Sequence, residues 1–178
     1  MVIGQQPLEF GKPDYVKEAK LNITHKKLNM AELKYHVNNN LVWQQDDTRP
    51  LTTHSSLLND EPLQELKIYI ETVLKSLGHT KYRFNNSWGL KYNFNTYIPV
   101  HHHIYQIGTN RPVKGYSFCY YLEGEGELTI HDKKDINEYV RLFPKVGDLY
   151  LFSNECYHGV APSRHDTRLN VGGDIELL

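Results

Sequence analysis

From residue 81 to residue 171 apolar and polar side chains alternate in short runs. Residues i and i+2 of a strand share a face, so period-two alternation is the mark of half-buried β-strands. It predicts strands over Tyr82–Asn86, Trp88–Phe94, Tyr116–Leu122, Glu127–His131, Glu138–Leu142, Asp148–Phe152 and Thr167–Val171. Gly115, Pro144 and Gly147 punctuate them, and Gly124-Glu125-Gly126 reads as a hairpin turn. Upstream the period is 3.6. Leu63, Leu66, Tyr69, Ile70, Val73, Leu74 and Leu77 fall on one stripe, which predicts a helix over 61–77. Asn59 or Asp60 would cap it, Pro62 suits its first turn, and Gly78 would stop it. Residues 1–20 are polar and broken by Pro7, Gly11 and Pro13, and read as an extended arm. Residues 21–60 mix apolar runs (Leu28–Tyr35, Asn40–Trp43) with a turn at Asn38–Asn40 and a polar loop at Thr52–Ser56. Many short strands after a helical region predict a mainly β protein with some α, a double-sheet jelly roll. One domain is expected over 1–178, with an N-terminal arm and supporting helix over 1–80 and the jelly-roll core over 81–178.

Composition narrows the function classes. A net charge of −1 and a pI near 6.8 offer no basic surface, so nucleic acid is not indicated. No apolar run approaches the ~20 residues that span a bilayer, and Met1–Pro7 lacks the features of a signal peptide, so a cytoplasmic location is expected. Cys119 and Cys156 are expected as free thiols, Cys156 as a buried small hydrophobe. Ten histidines and thirteen tyrosines are the unusual feature, and surplus histidine raises the case for a metal.

The candidate chemistry lies between Tyr97 and Asn170. In a strand His101 and His103 face one side and His102 the other. His158 follows the turn and apolar strand Pro144–Phe152 and would meet them from that strand's far end. Neutral imidazoles suit Fe(II), Zn(II), Ni(II) or Cu(II). Arg168, ten residues beyond His158, would hold the carboxylate of an acidic cosubstrate, which three-histidine zinc chemistry does not explain. The blander readings are an exposed polar strand end for His101–His103 and a structural role for His158.

The order Ser87-Trp88, Tyr97, His101-x-His103, Tyr116–Leu122, Pro144-x-x-Gly147, Leu149–Phe152, His158-x-Val160-x-Pro162, Arg168-x-Asn170 resembles the 2-oxoglutarate/Fe(II)-dependent oxygenase superfamily. It is most similar to small bacterial and phage members with a His-x-His first motif. The resemblance covers about half the chain. It implies a double-stranded β-helix with Fe(II) and 2-oxoglutarate as cofactors. O2 and a small-molecule cosubstrate would be partners in hydroxylating an unidentified substrate, with release of succinate and CO2. His101 and His158 would be iron ligands, and His103 stands where most members have Asp or Glu. Arg168 would pair with the distal carboxylate of 2-oxoglutarate, with Tyr97 and Asn170 as further donors; Arg164 is the competing arginine, in a turn. Two alternatives stay open. One is a cupin-like three-histidine dioxygenase that needs no 2-oxoglutarate, although Gln106 stands where a cupin would show Glu. The other is a non-catalytic jelly-roll module, which the departure at His103 permits. Ile104–Lys114 reads as a solvated loop, or else a lid; Trp43 and Trp88 read as core; and aromatic edge strands permit a homodimer.

Overall fold

The computed structural model describes residues 23–27, 33, 34, 37, 43, 49–53, 56–106, 110–164 and 167–178. The expected arm over 1–20, most of the apolar runs Leu28–Tyr35 and Asn40–Trp43, the Asn38–Asn40 turn and the middle of the Thr52–Ser56 loop lie outside these residues. Ten strands are described: β1 (Ile23–Lys27), β2 (Leu51–Thr52), β3 (Tyr82–Tyr92), β4 (Ile98–His101), β5 (Gly115–Glu123), β6 (Leu128–His131), β7 (Tyr139–Leu142), β8 (Asp148–Ser153), β9 (His158–Val160) and β10 (Arg168–Leu177). They form a six-stranded sheet, β1-β8-β5-β10-β3-β2, and a four-stranded sheet, β4-β9-β6-β7, with antiparallel neighbours throughout. This is the expected double-stranded β-helix. No helix among the described residues is long and apolar enough to cross a membrane.

The long strands carry two cores on their two faces. On β5, β8 and β10, Phe118, Tyr120, Leu122, Leu149, Leu151, Leu169, Val171 and Ile175 turn outward. Helix α1 (Gln64–Ser76) covers them with Leu66, Ile70, Val73 and Leu74. The alternate residues Tyr121, Tyr150 and Phe152 turn inward, against Leu128, Ile130, Val140 and Val160 of the smaller sheet. Each buried apolar side chain contributes roughly 1.5–3 kcal/mol, so the helix is a substantial part of what holds the larger sheet.

Several expectations need correction. The helix starts later than its apolar stripe: Glu61–Leu63 is a 3-10 turn containing Pro62, and neither Asn59 nor Asp60 caps with its side chain. Gln64 instead donates from Nε2 to the Leu58 carbonyl at 2.9 Å. Leu77 sits past the last turn and is exposed, while Gly78 ends the helix at φ +86°, where a Cβ would be strained. The two strands expected over 82–94 are one, because Ser87 keeps the alternation and its Oγ accepts the Leu58 N–H at 2.7 Å. Phe94 lies beyond its end and is exposed. Gly124–Gly126 is no hairpin: β5 and β6 belong to different sheets, so this segment carries the chain across the sandwich. β10 runs to Leu177 rather than stopping at Val171, since β3 and β5 pair with it on both sides through Gly172-Gly173.

Candidate active site

His158 does not end β8. A turn after Ser153 lifts the chain to the smaller sheet, where His158 opens β9 directly opposite His101 of β4. His103 lies two residues past His101, and its backbone is clamped by Asn154: its N–H donates to the Asn154 carbonyl at 3.2 Å, and Asn154 Nδ2 donates to the His103 carbonyl at 3.1 Å. The three rings converge, with centroids 4.8 Å apart for His101–His103, 4.4 Å for His101–His158 and 5.0 Å for His103–His158. One ligand nitrogen from each lies within 4.8 Å of the others. His102 points away and packs on Tyr157, as the alternation predicts.

Hydrogen bonds orient the rings. His101 Nδ1 lies 2.8 Å from the Pro99 carbonyl, His103 Nδ1 lies 2.7 and 2.9 Å from the two carboxylate oxygens of Asp174, and His158 Nδ1 lies 3.4 Å from the Cys156 carbonyl. Each partner is an acceptor, so each neutral ring carries its proton on Nδ1 and keeps its lone pair on Nε2. Burial, then the neighbouring His103 and His101 rings, hold the His158 imidazole well below its ordinary pKa. Burial and His103 lower His101 likewise. Both are therefore neutral near pH 7, as metal binding requires. Among the described residues no Asp or Glu joins this group, so the candidate donor set is three imidazoles.

β10 supplies the second half of the site. Arg168 and Asn170 share its inner face and are 0% and 1% exposed. Arg168 lies between the rings of Tyr92 and Tyr121, 4.8 and 5.3 Å from their centroids. Tyr121 accepts one long contact from Nη2 at 3.4 Å. Arg168 Nε and Nη1, both polar side-chain atoms of Asn170 and the Tyr92 hydroxyl have no hydrogen-bond partner among the described residues. Leaving a buried charge unanswered costs several kcal/mol, on the order of the effective penalty per ion. A carboxylate is the group these donors fit. Burial raises the Tyr92 phenol well above its ordinary pKa, which keeps it a donor.

A cavity of about 60 Å³ joins the two halves. Its wall includes the three histidines, Asn170, Tyr92, Trp88, Leu90, Ile98, Leu128 and Val160. Trp88 thus faces the site beside His103 instead of the core. Cys119 also lines it, and burial pushes that thiol up to about 12, so it remains protonated. A larger concavity of about 500 Å³ is lined by Glu125, Gly126, Arg141 and Arg164 and by none of the three histidines. Arg164 is exposed there, which leaves Arg168 as the buried arginine. Tyr97 is 39% exposed and absent from the cavity wall; Tyr92 and Tyr121 are the tyrosines beside Arg168. Of the stretch Ile104–Lys114, the described residues Tyr105 and Pro112 pair in an antiparallel bridge, and Arg111 bonds to Glu176.

A family profile described as the 2OG-Fe(II) oxygenase superfamily matches residues 87–173. Residues 87–173 belong to that superfamily. The span holds all three histidines, Arg168 and Asn170, and stops one residue short of Asp174. Solved structures of 2OG-Fe(II) oxygenases share the fold. An oxidoreductase of this family from Burkholderia pseudomallei aligns with TM-score 0.70 at 12% identity, over 99% of this chain and 95% of that one. A Pseudomonas putida prolyl-4-hydroxylase gives 0.67 at 14%, over 93% and 96%. HygX from Streptomyces hygroscopicus, solved with nickel, 2-oxoglutarate and hygromycin B, gives 0.65 at 12%, over 96% and 88%. No curated protein sequence matches the chain.

Tyr92 and Asp174 are the site residues that the sequence pattern did not single out. Arg168, Asn170, Gly172 and Asp174 occupy alternate positions of β10, so extending the alternation past Gly172 would have found Asp174. The strand was expected to end at Val171 because two glycines carry no apolar signal.

Proposed function

We propose that this chain is a 2-oxoglutarate- and Fe(II)-dependent dioxygenase that hydroxylates its substrate. The observation that carries the reading is the Arg168 guanidinium, fully buried with Nε and Nη1 lacking a partner among the described residues, in the same sandwich interior as three converging imidazoles. His101, His103 and His158 would hold the iron through Nε2. Arg168 would clamp the far carboxylate of 2-oxoglutarate, with the Tyr92 hydroxyl and Asn170 as further donors. Iron and 2-oxoglutarate together supply the oxidation: O2 and 2-oxoglutarate become CO2 and succinate, and one oxygen atom enters a C–H bond of the substrate. The chain's own contribution is placement and exclusion of water. Leu90, Ile98, Leu128 and Val160 wall the cavity with apolar surface, which strengthens charge interactions inside it. A three-histidine dioxygenase independent of 2-oxoglutarate would have no use for the buried arginine.

Anaerobic addition of Fe(II) and then 2-oxoglutarate tests this reading. A weak visible charge-transfer band should appear with the second addition, and Arg168→Ala should abolish both the band and succinate formation. Full succinate formation by Arg168→Ala would refute the assignment of the cosubstrate.

A further inference from the structure

We propose that Asp174 is a positioning residue of the metal centre, which fixes the His103 ring and supplies from behind it the negative charge that three imidazoles lack. The inference rests on the metal-centre reading above.

Asp174 is 6% exposed and sits on the inner face of β10, in the larger sheet, whereas His101 and His158 come from the smaller one. Its Oδ1 accepts from His103 Nδ1 at 2.7 Å and from the Ser117 hydroxyl at 2.9 Å, and its Oδ2 lies 2.9 Å from the same His103 nitrogen. Ser117 is itself 2% exposed, on β5 beside β10. The carboxylate is therefore held by one strand and presented to a ring on the other side of the sandwich. His103 cannot flip without leaving a buried carboxylate with one partner fewer, which costs more than a neutral group would.

Charge balance gives the same assignment. A divalent cation held by three neutral imidazoles keeps both positive charges inside a sandwich where His158 is 6% exposed. A carboxylate one ring away offsets part of this and makes the bridging imidazole a stronger donor. The carboxylate acts through His103, since position 103 is filled by an imidazole long enough to reach it.

Two measurements test the inference. In metal-free protein, long-range 1H–15N NMR should show His103 as the Nδ1–H tautomer, and Asp174→Ala should shift it toward Nε2–H. An Nε2–H tautomer in the unaltered protein would overturn the proposal without any variant. Asp174→Asn keeps the shape and removes the charge. Competition titration with Co(II) alone should find its affinity roughly 10–100-fold lower, with altered d–d bands. Unchanged affinity and bands in Asp174→Asn would refute the role of Asp174 while leaving the metal centre intact. Failure of the unaltered protein to take up Co(II) would refute the metal centre itself and, with it, this inference.

Discussion

Gly126 leaves the space that Arg168 occupies. A Cβ at residue 126 would stand 2.1 Å from Arg168 Nη1 and 2.7 Å from its Cζ. The segment that crosses between the sheets thus presses bare backbone against a buried guanidinium. Gly126→Ala must displace that group. Its expected effect is weaker 2-oxoglutarate binding, by about tenfold or more if one good charge-assisted hydrogen bond is lost. Calorimetry on Co(II)-loaded protein should show this loss, with Co(II) affinity unchanged.

Arg168→Met should separate stability from binding. The guanidinium is buried with two nitrogens that find no partner among the described residues, so an apolar side chain of similar length removes a cost from the ligand-free fold. Thermal unfolding should show Arg168→Met at least as stable as the unaltered protein without 2-oxoglutarate. Added 2-oxoglutarate with Co(II) should raise the melting temperature of the unaltered protein beyond Co(II) alone, and add nothing to the variant.

His158→Ala should abolish tight metal binding, because it removes the imidazole opposite His101 and leaves two in the proposed metal centre. Equilibrium dialysis against Co(II) measures this. His102→Ala serves as the control, since that ring packs on Tyr157 outside the cluster, and it should bind Co(II) normally.

Glu176 sets an acid limit on stability. Arg111 and Arg83 reach its carboxylate at 2.5 Å each and hold it down to about 2. An unfolded Glu titrates near ~4.3, so the folded value is depressed. Its contribution is then complete above roughly pH 5 and is lost as pH falls toward the folded value. Urea unfolding should show Glu176→Gln less stable than the unaltered protein at neutral pH, with the gap shrinking steadily below about pH 4. A gap that stays constant across that window would remove Glu176 from the account.

Ile70→Ala tests the helix as scaffold. Ile70 is fully buried between α1 and the larger sheet, far in the packing from the inner cavity. The expected loss is about 2–5 kcal/mol of stability by denaturant titration, with metal affinity retained.

Legibility at the site followed strand register. His101 and His103 are two apart in one segment, so their shared direction could be read from period alone. Arg168 and Asn170 were readable for the same reason. Tyr97 was expected beside Arg168, yet the loop between β3 and β4 leaves it exposed, and Tyr92 at the end of β3 stands there instead. Both are tyrosines in one aromatic stretch, and only the pairing of β3 with β10, which sets Tyr92 opposite Arg168, tells them apart.

The alternation of side chains by itself determined that this chain makes a β-sandwich with an amphipathic helix against it, because period is a local property that burial on one face imposes. It also determined which residues of a strand look inward together. Which strands meet was decided by tertiary structure. Nothing local says that Gly124–Gly126 crosses between sheets, that β9 brings His158 opposite His101, or that Asp174 reaches His103 from the other sheet. Those facts depend on long-range pairing, where the energy comes from partners distant in the chain and is invisible to the pattern around any one residue.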